Sequence, residues 1–268
     1  MILESITLQR MKALSAAFPF TVPVIQRLDT LHFSTPVTFF VGENGSGKST
    51  LLEAIASAVG AVTVGSDSVE TDSTLHAVRQ LGQALKLVWT TKRTRRGFFM
   101  RSEDFFGYAR RMAQVRQQLE QDLQDVETEY QDRSDYARGL ARMPHMRELT
   151  ELQRLYGESL DAQSHGESYF KLFQSRFVPD GLYLLDEPEA PLSPIRQLAL
   201  LRMLKQMTTQ GGQFIIATHS PIILAYPDAT IYSFDDGHIT SVDYESLEHV
   251  TLTRAFLNDP QQYLQHLL

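Results

Sequence analysis

The chain has 268 residues, 43% of them hydrophobic, enough to bury a sizeable core in one large α/β domain or in a domain carrying a subdomain. It holds no Cys, which excludes disulfides, thiolate zinc sites and cysteine nucleophiles. No run approaches the roughly 18 apolar residues of a membrane helix, the start lacks signal-peptide order, and a net charge of −7 argues against a surface that coats nucleic acid, so a cytoplasmic, soluble protein is expected.

Residues 2–8 alternate apolar and polar and read as an opening strand; Phe18-Pro19-Phe20-Thr21-Val22-Pro23 is too broken by proline for more than an edge or loop. Strands are predicted at 28–33 and 37–41, a helix at 51–59 and a surface loop at 61–72. Residues 84–91 and 97–101 have strand character, with Lys92, Arg93, Thr94, Arg95 and Arg96 between them as the tip of a hairpin. Between 86 and 116 nine basic residues face only Glu103 and Asp104, an asymmetry that fits a solvated hairpin and helix face or a contact with a phosphate backbone or acidic partner. Met112, Val115, Leu119, Leu123, Val126 and Tyr130 recur by threes and fours as a helix stripe, Pro144 interrupts the pattern, and a second stripe runs through Leu149, Leu152, Leu155, Tyr156 and Leu160. The middle of the chain therefore reads as a short helical hairpin. A helix over 170–177, a buried strand at 182–185, a helix at 194–207, a second buried strand at 213–217, a hairpin turned by Asp235-Asp236-Gly237 and short helical pieces around Pro260 complete it. Strands alternating with helices indicate a parallel or mixed sheet.

One stretch carries the chemistry. Gly42-Glu43-Asn44-Gly45-Ser46-Gly47-Lys48-Ser49-Thr50 fits G-x-x-x-x-G-K-[ST], with a β-branched and aromatic run before it and an apolar helix after it. Its glycines let successive N–H groups curl round a phosphate, Lys48 reaches the β- and γ-phosphates, and the Ser49 hydroxyl suits Mg²⁺. The buried strand at 182–185 delivers Asp186 and Glu187 to its carboxyl end, where Asp186 can hold the metal and Glu187 can orient the attacking water and accept its proton. The strand at 213–217 delivers Thr218-His219-Ser220, placing an imidazole where it can donate to the γ-phosphate.

These landmarks, in this order, resemble the ATP-binding-cassette (ABC) ATPases, and more closely the soluble branch that includes the SMC, RecF and Rad-type repair ATPases and small stand-alone AAA-family members. Ser164-His165-Gly166-Glu167 looks like that family's Ser-Gly-Gly-Gln signature, with His165 for the first Gly and Glu167 for the Gln. The resemblance implies a phosphate-loop NTPase with an ABC-type mixed-sheet core over 1–103 and 164–268 and a helical insert over 104–163. It implies ATP and Mg²⁺ as ligands, hydrolysis of ATP, and a head-to-tail homodimer in which Ser164, Gly166 and Glu167 of one copy meet the nucleotide of the other. Glu103 substitutes for a metal-sensing Gln that is not evident, Lys12 resembles a basic residue near the nucleotide, and Phe18 and Phe20 are candidates to stack on adenine. Ser193 stands where transporters carry an Asp. The partner that ATP-driven dimerisation would clamp or release is DNA, through Lys92, Arg93, Arg95 and Arg96, or a separate defence or repair effector; the competing function is the motor subunit of a membrane transporter, and for a third reading, a phosphate-loop kinase, the chain lacks an obvious Arg-rich lid.

Overall fold

The computed structural model describes residues 1–10, 17–64, 76–90, 93–156 and 165–267. In chain order the elements are β1 (Leu3–Leu8), α1 (Pro23–Gln26), β2 (Thr30–His32), β3 (Val37–Val41), α2 (Lys48–Val59), α3 (His76–Ala84), β4 (Leu85–Trp89) and β5 (Gly97–Arg101). Three helices follow, α4 (Ser102–Glu129), α5 (Asp135–Tyr156) and α6 (His165–Arg176). The chain then runs through β6 (Leu182–Asp186), α7 (Pro194–Thr209), β7 (Gln213–Ala217), α8 (Pro221–Leu224), β8 (Thr230–Ser233), β9 (Thr240–Ser241), α9 (Glu248–Asn258) and α10 (Pro260–Leu267).

Two compact units result, one of residues 1–102 with 178–268, the other of residues 103–177. In the first, six strands lie in the order β5-β6-β7-β3-β8-β9, parallel except for β9, and β2-β1-β4 form a separate antiparallel sheet. Every residue of β3, β6 and β7 is buried, as a strand covered on both faces requires. The core cluster joins the small sheet (Leu3, Ile6, Leu31), α2 (Leu51, Leu52, Ile55), α3 (Val78, Leu81) and one face of the large sheet (Phe40, Leu184, Ile215). Gln213, fully buried at the start of β7, fastens β1 to this core: its Oε1 accepts from the N–H groups of Ile2 (2.8 Å) and Leu3 (2.7 Å), and its Nε2 donates to the Leu3 carbonyl (2.9 Å).

The expected hairpin over 84–101 is not formed. β4 pairs antiparallel with β1 and β5 pairs parallel with β6, so the two segments belong to different sheets. The reason lies in their faces: Phe98, Phe99 and Met100 form a consecutive buried run suited to a parallel strand, whereas β4 is buried at Leu85 and only partly covered beyond it. Pro144 does not break the helical middle either; it lies inside α5. The break falls at residues 130–134, where Ser134 caps α5 by accepting from the Ala137 N–H (3.3 Å), and Asp135 supplies the acid of its first turn.

In the second unit α4 and α5 lie side by side, joined by Arg142 and Arg138 to Glu127 (2.5 and 3.9 Å) and by His145 to Asp122 (3.6 Å). Leu119 of the predicted stripe is buried and its stripe neighbours on α4 are half-buried. α6 contributes buried Tyr169, Leu172 and Phe173, with the Tyr169 and Phe173 rings edge to face at 4.7 Å. This helix groups with the helical unit, whereas the sequence boundary placed residue 164 onward in the core.

Candidate functional site

The loop between β3 and α2 is shaped by three glycines with positive φ, Gly42 (139°), Gly45 (81°) and Gly47 (103°). Gly47 caps α2, and a Cβ there would stand 2.7 Å from Val24 and 2.8 Å from Val22, so both conformation and space demand glycine. At the loop's entrance a Cβ on Gly42 would stand 2.9 Å from the Asp235 carboxylate, which accepts from the Glu43 N–H (3.0 Å) and, through its other oxygen, from the Ser233 hydroxyl (2.6 Å). Asp235 thus holds the first turn of the loop from outside. Lys48 is buried, and its ammonium donates to the carbonyls of Gly42 (2.6 Å) and Glu43 (2.8 Å) inside the loop. Burial lowers its pKa, opposed by the negative charges of Asp186, Glu187 and Asp235. Asn44, Ser46 and Thr50 complete the loop and the first turn of α2.

Parallel pairing of β6 with β7 and of β7 with β3 brings the ends of the three strands together below this loop. Ser49 donates its hydroxyl to Asp186 Oδ1 at 3.1 Å. Asp186 is 8% exposed, and its carboxyl is pushed up to about 7, first by burial and then by Glu53 and Glu187, against the Ser49 hydrogen bond and Lys48. A hydroxyl and a carboxylate, oxygen donors only, with a charge the fold penalises until a cation meets it, fit a hard divalent ion such as Mg²⁺. Glu187 is exposed and sits at φ 49°, a left-handed conformation costing a non-glycine residue about 1–3 kcal/mol, with its N–H held by the Ala217 carbonyl (2.8 Å). His219 Nε2 lies 3.9 Å from Glu187 Oε1 and accepts or donates no hydrogen bond among the described residues. Burial and the Lys48 charge lower the His219 pKa, so the imidazole is neutral at pH 7.

A cavity of about 550 Å³ opens over the loop, lined by Gly42, Glu43, His219, Asp235 and the start of α9, including His249. Neither His249 nor Asp235 was singled out as a site residue in the sequence, because each reaches the loop through the tertiary fold. Ser102 was missed for the same reason: buried where β5 meets α4, its hydroxyl donates to the carbonyls of Asp186 (3.2 Å) and Glu187. It is this residue of the junction that touches the acidic pair within the first unit; Glu103 is exposed and belongs to the helical unit. Gly166 and Glu167 lie in the first turn of α6, while Lys12, Lys92 and Ser164 fall outside the described residues. Of the adenine candidates, Phe18 is 53% exposed and Phe20 is buried. The basic stretch stays exposed while bonding to its own chain: Arg93 donates to the Val59 carbonyl (2.7 Å) and Arg96 meets the Pro179 carbonyl (3.4 Å) and Asp180 (3.6 Å), whereas Arg101 of β5 forms a largely buried pair with Glu53 (3.3 Å). Arg95 is exposed.

Two family descriptions match this chain, the first running into the helical unit through α4 and the second starting within α6. An "AAA domain" matches residues 22–134, which hold the phosphate loop, and an "AAA domain, putative AbiEii toxin, Type IV TA system" matches residues 169–225, which hold Asp186, Glu187 and His219. The cobalt import ATP-binding protein CbiO of Salmonella typhimurium is 24% identical over 259 residues, covering 88% of this chain and 83% of that protein. The chain is an ATPase, similar in sequence to ABC-type ATPases. The energy-coupling factor transporter ATP-binding protein EcfA2 of Streptococcus sanguinis is similar to this ATPase at 27% identity over 234 residues, covering 84% of this chain and 75% of that protein. Among solved structures, the Smc head domain of Pyrococcus furiosus bound to the C-terminal domain of ScpA aligns over 96% of this ATPase and all of that chain at 12% identity with a TM-score of 0.47. CbiO1 of Clostridium perfringens aligns over the whole of both chains at 14% and 0.44. No helix among the described residues is long and apolar enough to cross a membrane.

Proposed function

We propose that this ATPase closes two copies of itself head to tail around ATP and uses that closure to act on a macromolecular partner. Lys48 and the loop amides hold the phosphates, Ser49 and Asp186 hold Mg²⁺, and the bound ion neutralises the phosphate charge that would otherwise oppose attack. Glu187 orients the attacking water and takes its proton; neutral His219 donates Nε2–H to the terminal phosphate. The observation that supports this division of labour best is the meeting of the strand ends, where Asp186 engages Ser49 and Glu187 stands beside His219. Ser164, Gly166 and Glu167 of the other copy supply the second anion contact, and Lys12 the additional basic charge, as the resemblance to the family implies.

The test is gel filtration of Glu187→Gln with Mg²⁺ and ATP, which should shift the protein from monomer to dimer; a monomer under those conditions removes the shared interface. A pull-down with the same ATP-trapped variant identifies the partner. DNA remains open to the exposed Arg93, Arg95 and Arg96, and a salt-insensitive or absent response to duplex and single strands would exclude it. The second reading, motor subunit of a transporter, is favoured by the names of the curated relatives, CbiO and EcfA2. Co-purification with an integral membrane protein decides for it.

A further inference from the structure

The turn after β6 carries a second acid that the hydrolytic reading leaves unused. Glu189 stands two residues beyond Glu187, and its Oε1 accepts the main-chain N–H of His219 at 2.8 Å, across 30 residues of sequence. The turn itself is closed by the Ala190 N–H on the Glu187 carbonyl (3.1 Å) and the Leu192 N–H on the Glu189 carbonyl (2.8 Å). Its other end is tied to β7, since the Glu187 N–H donates to the Ala217 carbonyl.

The segment leaving β7 has few other restraints. Thr218 Oγ1 accepts the Ser220 N–H (3.0 Å), and Ser220 caps α8 by accepting the Ile223 N–H (3.2 Å) while donating to Gln197 (2.5 Å). These bonds fix residues 218 and 220; the main chain of His219, which aims the imidazole at Glu187, is held by Glu189. A solvated surface acid would not serve this role. Glu189 is half-buried, its Oε2 is shielded from solvent with no hydrogen-bond partner among the described residues, and burial raises its pKa against the hydrogen bonds it accepts.

We infer that Glu189 is a positioning residue for ATP hydrolysis: its carboxyl locks the turn bearing His219 to the turn bearing Glu187, so that the water-activating acid and the phosphate-facing imidazole move as one unit. The inference rests on the assignment of His219 to the terminal phosphate. Two variants of similar volume separate hydrogen bonding from packing. Glu189→Met removes the acceptor, and Glu189→Gln keeps one in the position of Oε1. Because a misplacement of about 1 Å costs on the order of 100-fold in rate, Glu189→Met should lower kcat by about tenfold or more, with KM for ATP within about twofold, and Glu189→Gln should recover most of it.

The decisive comparison is made in a His219→Ala background, with folding of each variant checked by circular dichroism. If Glu189 acts through His219, Glu189→Met lowers kcat in the wild-type protein and adds nothing in His219→Ala. Wild-type kcat in folded Glu189→Met, equal losses in the Met and Gln variants, or multiplicative losses with His219→Ala would each overturn the inference. Should Glu189→Met not fold, multiplicative behaviour of Glu189→Gln with His219→Ala serves as the refutation and a full recovery as the support. A normal kcat in His219→Ala by itself refutes the role given to His219, which is a different result from failure of the coupling.

Discussion

Replacing Asp186 by Asn should abolish ATP hydrolysis and, in the absence of ligands, make the protein more stable. The carboxyl is displaced from 3.8 to about 7, chiefly by burial, so the folded state holds its proton through a window in which the unfolded chain has already released it. Because the folded pKa is raised, stability falls as pH rises from about 4 to 7 and is constant above that. At 1.36 kcal/mol per pH unit the loss reaches about 4 kcal/mol above pH 7 and less than about 2 at pH 5. An Asn side chain of the same shape still accepts the Ser49 hydroxyl, and Lys48 retains the carbonyls of Gly42 and Glu43, so little else is broken. Urea unfolding without nucleotide or Mg²⁺ measures the difference, and thermal unfolding at pH 8 should rise by several degrees at about 2–4 °C per kcal/mol. A variant no more stable than wild type at pH 8, or equally stabilised at pH 5 and pH 8, would refute burial as the origin of the shift.

Gly47→Ala should abolish nucleotide binding, read by titration with a fluorescent ATP analogue, because its Cβ meets Val22 and Val24 and its φ of 103° is strained for alanine. Gln213→Leu leaves the N–H groups of Ile2 and Leu3 and the Leu3 carbonyl without their buried partner and should cost about 2–4 kcal/mol in chemical denaturation, with the m-value unchanged. His219 has a lowered pKa, so its contribution to stability is present above its ordinary value of 6.5 and is lost as pH falls; His219→Gln should flatten the fall in melting temperature between pH 7.5 and pH 5.

The parts of the site that were legible in the sequence are those whose chemistry is local. Gly42 to Ser49 carry their conformation and ligand chemistry within one octet, and Asp186 and His219 each follow a run of apolar residues that can only be a buried strand. Glu189, Asp235 and Ser102 were not legible as site residues, because what matters is which backbone group each meets: the His219 and Glu43 amides and the acidic pair's carbonyls. The misread hairpin over 84–101 has the same origin, since adjacency in sequence favours pairing but the partners of β4 and β5 are about 80 residues away on either side. For Pro144, a ring inside a helical pattern suggests a terminator, while the helix start lies about ten residues earlier in Ser134 and Asp135.

The helical unit of residues 103–177 leaves and rejoins the ATPase along one strand. It departs after Ser102, whose hydroxyl is bonded at the carboxyl end of β6, and returns at Val178, whose N–H and carbonyl are both bonded by the Tyr183 hydroxyl (2.7 and 2.6 Å) near the start of β6. The two attachment points are thereby set from Tyr183 and Asp186, three residues or about 10 Å apart along β6, whatever lies between them. Closing a longer chain between fixed ends costs only about 0.6 kcal/mol per doubling of its length. The insertion point is therefore a socket: a hairpin of different length fits between the same two ends while the strand that carries Asp186 keeps its register.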